Sequence, residues 1–161
     1  MKLIQARAFG EIEVDERQII DFPRGILGFQ EHTRFALLDA SQPPFYWLQS
    51  LTDTQTAFVL ISPDVFRSDY ELSLVSQELD VIDVHQEEGG ELITRSSGDA
   101  AELLVFAIVT VTGDKESMTA NLQGPIVINP ASRLGMQGIQ TDPRWMTKHY
   151  ILQEMAVKGS R

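Results

Sequence analysis

Thr119-Ala120-Asn121-Leu122-Gln123-Gly124-Pro125-Ile126-Val127-Ile128-Asn129-Pro130 is the stretch whose reading decides the fold of this chain. It follows the longest apolar run, residues 103–109, after the hairpin-like punctuation Gly113-Asp114-Lys115-Glu116-Ser117, so the two apolar stretches are expected to pair as neighbouring strands. Pro125 and Pro130 bracket Ile126-Val127-Ile128. A proline has no N–H to give a ladder, so the pairing is expected to stop at each of them, with proline at a first strand position, an edge or a bulge. Asn121 and Asn129 flank it and read in two ways. They are either turn residues that satisfy local backbone, or fixed amides on a blocked strand that meets another chain. On the second reading the interrupted ladder leaves backbone groups for a partner segment.

Working outward, Ile12 and Val14 alternate with Glu11, Glu13 and Asp15, the period of a strand with one wet face. Ile19-Ile20 leads into Phe22-Pro23-Arg24-Gly25-Ile26-Leu27-Gly28-Phe29, whose glycines predict a tight apolar turn with positive φ. Residues 34–39 read as a strand, and residues 45–51 and 56–61 as an antiparallel hairpin around Thr52-Asp53-Thr54-Gln55. Tyr46 and Trp47 point to opposite faces of a strand, so one of them is expected to be exposed or to cover a sheet edge. Residues 69–74 alternate again. Ser76 offers an N-cap for a short helix over residues 77–82, although β-branched Val81 and Ile82 leave a strand open there. Leu92-Ile93-Thr94 allows one short edge strand between polar stretches. Residues 131–135 read as a loop, residues 149–152 as a last strand, and residues 156–161 as a frayed tail. Many short strands with regular turn punctuation imply one mainly β domain over residues 1–155, a barrel or sandwich.

The 161 residues suffice to bury roughly 70% of the unfolded surface. The composition, 43% hydrophobic and 22% charged, is that of a globular chain. No run approaches the roughly 18 apolar residues of a membrane helix, and the N-terminus lacks a signal-peptide pattern, so a cytoplasmic protein without membrane contact is expected. The net charge is −10, and residues 64–102 alone carry eleven acids against two bases. Such a segment repels phosphate backbones and attracts basic partners across a Debye length of about 8 Å. Direct nucleic-acid binding is not expected. The segment is either a solvated face or a docking surface for a basic partner.

Candidate chemistry is sparse. There is no cysteine, which excludes disulfides, thiolate metal sites and cysteine nucleophiles. His32, His85 and His149 lie far apart, and His85 with Glu87 and Glu88 is the nearest approach to a metal cluster. Gly25 and Gly28 are not followed by the Lys-Ser/Thr of a phosphate loop. Gly135-Met136-Gln137-Gly138 mimics an RNA-clamping loop without the basic lining one needs. No catalytic constellation, metal or cofactor is expected.

Several blocks in order resemble the FliW family of flagellar assembly factors. They are Phe22 with Gly25-Ile26-Leu27-Gly28-Phe29, Trp47-Leu48-Gln49-Ser50, Ala57-Phe58-Val59 leading to Pro63, Asp69-Tyr70, Thr119-Ala120-Asn121-Leu122 with Gly124-Pro125-Ile126-Val127-Ile128-Asn129, and Gly135 with Gln137. Leu27 stands where the family often carries proline. The resemblance implies a partly open β-barrel with one or two short helices. It also implies a non-enzymatic switch that binds flagellin and the RNA-binding repressor CsrA, freeing flagellin mRNA from repression until flagellin displaces CsrA. On that basis Asn121, Leu122, Pro125, Ile126, Asn129, Gly28 and Phe29 are the candidate flagellin contacts. Glu78, Asp80, Asp83, Glu87 and Glu88, in the acidic segment, are the candidate CsrA contacts. The alternatives from other classes are a split-barrel flavin enzyme and a purely structural adaptor.

Overall fold

The computed structural model describes residues 1–84, 91–95 and 103–159, with backbone alone at residues 76, 91–95 and 157–159. The strands are β1 (Lys2–Ala6), β2 (Gly10–Val14), β3 (Ile19–Asp21), β4 (Arg34–Asp39), β5 (Phe45–Ser50), β6 (Ala57–Ile61), β7 (Glu71–Val75), β8 (Glu91–Arg95), β9 (Leu104–Thr110), β10 (Thr119–Asn129), β11 (Leu134–Gln137) and β12 (His149–Tyr150). One α-helix, α1 (Ile151–Gly159), and short 3-10 turns complete the described chain.

Strands β3, β4, β5, β6, β9, β10 and β11 form a ring in that order, and β11 pairs with both β10 and β3. The seam between β11 and β3 is one parallel pair, Leu134 opposite Asp21, so the barrel is only just closed there. Two hairpins, β1–β2 and β7–β8, lie outside the ring as separate two-stranded sheets.

Alternation places side chains on both surfaces of the ring. The interior holds Ile20, Phe22, Phe35, Leu48, Leu60, Phe106, Ile126 and Ile128, with Tyr46 packed against them. On one side the outer surface packs Ala36, Leu38 and Trp47 against Ile4, Ala6 and Val14 of the first hairpin. On the other, Ile61, Val105, Ala107, Val109 and Val127 meet Leu72, Leu74, Leu79 and Trp145. Tyr46 and Trp47 therefore do face opposite ways, but neither is left outside. Both are half-buried because both faces of β5 are covered.

The paired strands β9 and β10 form as expected, and β10 ends at Asn129, directly before Pro130, but Pro125 does not stop the strand. It runs through Pro125 as one strand of eleven residues and has neighbours on both sides, β9 on one and β11 and β12 on the other. It is an inner strand, not an edge. Pro125 is accommodated in a bulge: Asn121 lies opposite Ile108 and Ile126 opposite Phe106, five steps of β10 against two of β9. An odd insertion exchanges the two faces of a strand. Ala120 and Leu122 accordingly join the outer core, whereas Ile126 and Ile128 point into the barrel.

Other expectations are corrected in detail. Residues 76–82 form a 3-10 helix that starts at Ser76, with Val75 in the capping position. Leu134 and Gly135, read as loop, belong to β11. The last strand ends at Tyr150 because the chain turns into α1, and the expected tail beyond residue 156 is helical to Gly159. Gly25 and Gly28 do hold positive φ, +65° and +86°.

Candidate functional site

The bulge organises a groove. Its backbone groups are not left for a partner, as the interrupted ladder had implied. The N–H groups of Leu122 and Gln123 donate to Met146 O at 3.0 and 3.1 Å, and Gln123 O accepts from Gln140 N at 2.8 Å. Pro125 O accepts from Gly138 N at 2.8 Å. Asn121 Oδ1 accepts from the N–H groups of Gln123 and Gly124 at 3.0 and 2.9 Å, which is a turn role. Its Nδ2 has no acceptor among the described residues. A buried bulge is tolerable only because each of these groups finds a partner.

Gln137 ties the bulge to the glycine turn. Its Nε2 donates to Gly124 O at 3.0 Å, and its Oε1 accepts from Leu27 N at 3.0 Å. A Cβ on Gly124 would lie 2.9 Å from that Nε2, so only glycine leaves room for the tie. Between these elements lies an open groove of about 410 Å³. Its lining comes from Arg24 and Leu27 of the glycine turn, Glu78 and Val81 of the 3-10 helix, Asn121, Gln123 and Gly124 of the bulge, Met136 to Ile139, and Thr147. Leu27 is 79% exposed and Ile139 65%, so the groove carries a rim of bare aliphatic surface.

The candidate residues are sorted by this geometry. Asn121 and Glu78, one from each list, line the same groove. Leu122, Pro125 and Ile126 are buried, two of them completely, and shape the bulge from below. Asn129 engages both ends of its amide internally, Nδ2 to Ile82 O at 2.9 Å and Oδ1 from Ala131 N at 3.1 Å. Gly28 and Phe29 sit in the turn beside the groove, with Phe29 edge-on to Phe58 at 5.1 Å. Asp80, on the 3-10 helix that carries Glu78, and Asp83, which caps its C-terminal end, are exposed. Glu87 and Glu88, and with them His85, lie outside the described residues. Among the described residues no group of three or more His, Asp or Glu is arranged to hold a metal ion. Among the described residues, Arg24 is the one basic side chain in the groove lining.

Sequence reasoning passed over the residues that shape this site most. Leu27 entered as part of an apolar turn and as the place where the FliW family often carries proline, and Ile139 was not singled out. Gln137 entered only within a loop pattern and a family pattern. Gln140 is buried and bridges to β7, its Nε2 donating to Glu71 O at 2.9 Å and its Oε1 accepting from Ser73 N at 2.7 Å. A long amide is polar in any window of sequence, and only the fold says which backbone it reaches.

Behind the bulge lies a polar cluster around Trp145, which is buried. The guanidinium groups of Arg67 and Arg144 lie 4.7 and 4.8 Å from its ring centre, and Tyr70 packs against it edge-on. Tyr70 donates its hydroxyl to Leu122 O at 2.8 Å, and burial pushes its phenol well above the ordinary range. Arg67 bonds both Asp69 and Glu154 at 2.9 Å. Its hydrogen bonds hold the Asp69 carboxyl below its usual value.

The family model described as FliW protein matches residues 2–151, nearly the whole barrel with its groove. The chain belongs to the FliW family. Among FliW relatives, the flagellar assembly factor FliW of Treponema pallidum is 40% identical over 158 residues, covering 98% of this chain and 97% of that one. That of Treponema denticola is 38% identical over 156 residues, with 97% of each chain covered. A crystal structure of the flagellar assembly factor FliW superposes with a TM-score of 0.77 at 35% identity, covering 93% of this chain and 96% of that one. The partly open barrel is thus the FliW fold. No helix among the described residues is long and apolar enough to cross a membrane.

Proposed function

We propose that the chain is a cytoplasmic, non-enzymatic assembly factor that binds flagellin and the repressor CsrA in alternation. While it holds CsrA, flagellin mRNA is translated. When flagellin accumulates and occupies the factor, CsrA is released to repress. Support comes first from the FliW relatives, which are named flagellar assembly factors. The single observation that carries the reading is the groove beside the β10 bulge, where exposed Leu27 and Ile139 flank Asn121 and Glu78. Apolar rims around a few fixed polar groups are the usual form of a peptide-binding cleft. A flagellin segment seats its apolar side chains between Leu27 and Ile139 and accepts a hydrogen bond from Asn121 Nδ2. CsrA docks its basic surface on the neighbouring acidic 3-10 helix through Glu78, Asp80 and Asp83. Both partners then meet at Glu78, which makes their binding alternate.

Mixing the three purified proteins and resolving them by size-exclusion chromatography tests the switch. The expected outcome is two binary complexes, with CsrA displaced as flagellin is added. Leu27→Asp and Ile139→Asp should abolish the flagellin complex, and Asn121→Ala should weaken it roughly two- to twelvefold, the worth of one hydrogen bond. Normal flagellin binding by both aspartate variants would move the site away from this groove.

A further inference from the structure

His149 is 4% exposed and stands directly behind the groove wall. Its Nε2 accepts the backbone N–H of Met146 at 2.8 Å. A backbone N–H can only donate, so Nε2 must be unprotonated and the ring proton must sit on Nδ1. Nδ1–H then donates to Glu154 Oε2 at 3.0 Å. Met146, held through its N–H in this way, carries on its following peptide the carbonyl that accepts from Leu122 and Gln123 across the bulge. Gln123 and Thr147, on either side of that peptide bridge, both line the groove.

We propose that His149 is the positioning residue of the groove wall, and that protonating it releases the wall and weakens groove binding. A proton on Nε2 would set N–H against N–H at 2.8 Å. Met146 must then turn away, so the Leu122 N–H loses its acceptor and the Gln123 N–H keeps only Asn121 Oδ1. Other charges around the ring act in both directions. Glu154, from α1, attracts an imidazolium, but its Oε1 is already bonded by Arg67 at 2.9 Å. Arg67 and Arg144 oppose a further cation beside the Trp145 ring, whose centre lies 5.9 Å from that of the imidazole. Asp69 is turned to Arg67 and Arg144, and Tyr70 packs on Trp145 as a neutral phenol. Lys148 and Tyr150 flank His149 in the chain and are exposed.

The binding consequence rests on the groove reading above, whereas the structural consequence does not. The test therefore has two readouts. Amide protection factors of Leu122 and Gln123, relative to Val127, should fall as the pH drops from about 7.5 to about 5.5. Affinity for monomeric flagellin encoded by the same genome should fall roughly two- to twelvefold over that range, the loss of about one hydrogen bond. His149→Gln places a non-titrating amide oxygen near the Nε2 position, so it should bind at pH 7.5 and lose both pH dependences. Unchanged protection of Leu122 and Gln123 over that pH range, followed in the wild-type protein alone, would overturn the proposal. So would the same loss of protection in His149→Gln. If wild-type protein ignores flagellin at every pH while protection still falls, the groove reading has failed and the role of His149 stands.

Discussion

Phe22 and Gly135 show how one residue licenses another. Phe22 is wholly buried in the barrel, edge-on to Phe35 at 5.2 Å. A Cβ on Gly135 would stand 2.5 Å from Phe22 Cζ, inside any real contact. Gly135→Ala should therefore cost about 1–3 kcal/mol, the usual penalty of overpacking. Phe22→Leu, destabilising alone, should recover part of that loss in the double variant. Urea midpoints of the two single variants and the double would measure the coupling, and strict additivity would place the collision elsewhere. Asn121 is subtler, because Oδ1 serves the turn while Nδ2 is left over. Asn121→Ala should lower the melting temperature and the flagellin affinity together, whereas a turn role alone would lower only the first.

Among elements, α1 depends on ties at its first turns. Ile151 is buried and its N–H donates to Met118 O at 3.2 Å, while Glu154 meets Arg67 and His149. Arg67→Met should loosen this helix, seen as faster amide exchange in α1 than in β9. It should also change the acid limb of stability. Asp69, whose usual value is 3.8, is lowered chiefly by its hydrogen bonds from Arg67. A lowered carboxyl contributes stability above its unfolded value and loses it as pH falls through the folded one. The wild-type melting temperature should therefore drop more steeply below about pH 4 than that of Arg67→Met. The difference should be small, because Asp69 is about half exposed. Parallel curves would mean that the pair adds nothing to stability.

At the scale of the molecule, charge is segregated rather than merely abundant. Residues 64–102 hold nearly all of the net −10, and the described part of that segment includes the 3-10 helix bearing Glu78 and Asp80, with Asp83 at its C-cap. Association with CsrA should slow severalfold between roughly 50 and 150 mM salt, with dissociation little changed, because steering acts on encounter. Charge reversal at Asp80 and Asp83, or at Glu87 and Glu88, should reproduce that slowing in surface-plasmon traces. An association rate indifferent to salt would leave the acidic segment a solvated face.

The sequence by itself determined the strands whose side chains alternate and the turns whose residues have special backbone needs. The hairpin of β5 and β6, the pairing of β9 with β10 and the positive φ at Gly25 and Gly28 all follow from local chemistry. The ordered blocks from Phe22 to Gln137 also carried the family. Tertiary structure alone decided whether Pro125 ended a strand or bent one, because its missing N–H is tolerated where Met146, Gln140 and Gly138 bond the backbone around it. It also decided that Tyr46 and Trp47 are both covered, since burial of a second face depends on hairpins distant in the chain. The groove belongs to the same class. Leu27, Asn121, Glu78 and Ile139 come from four separate segments, and no window of sequence contains the distances between them.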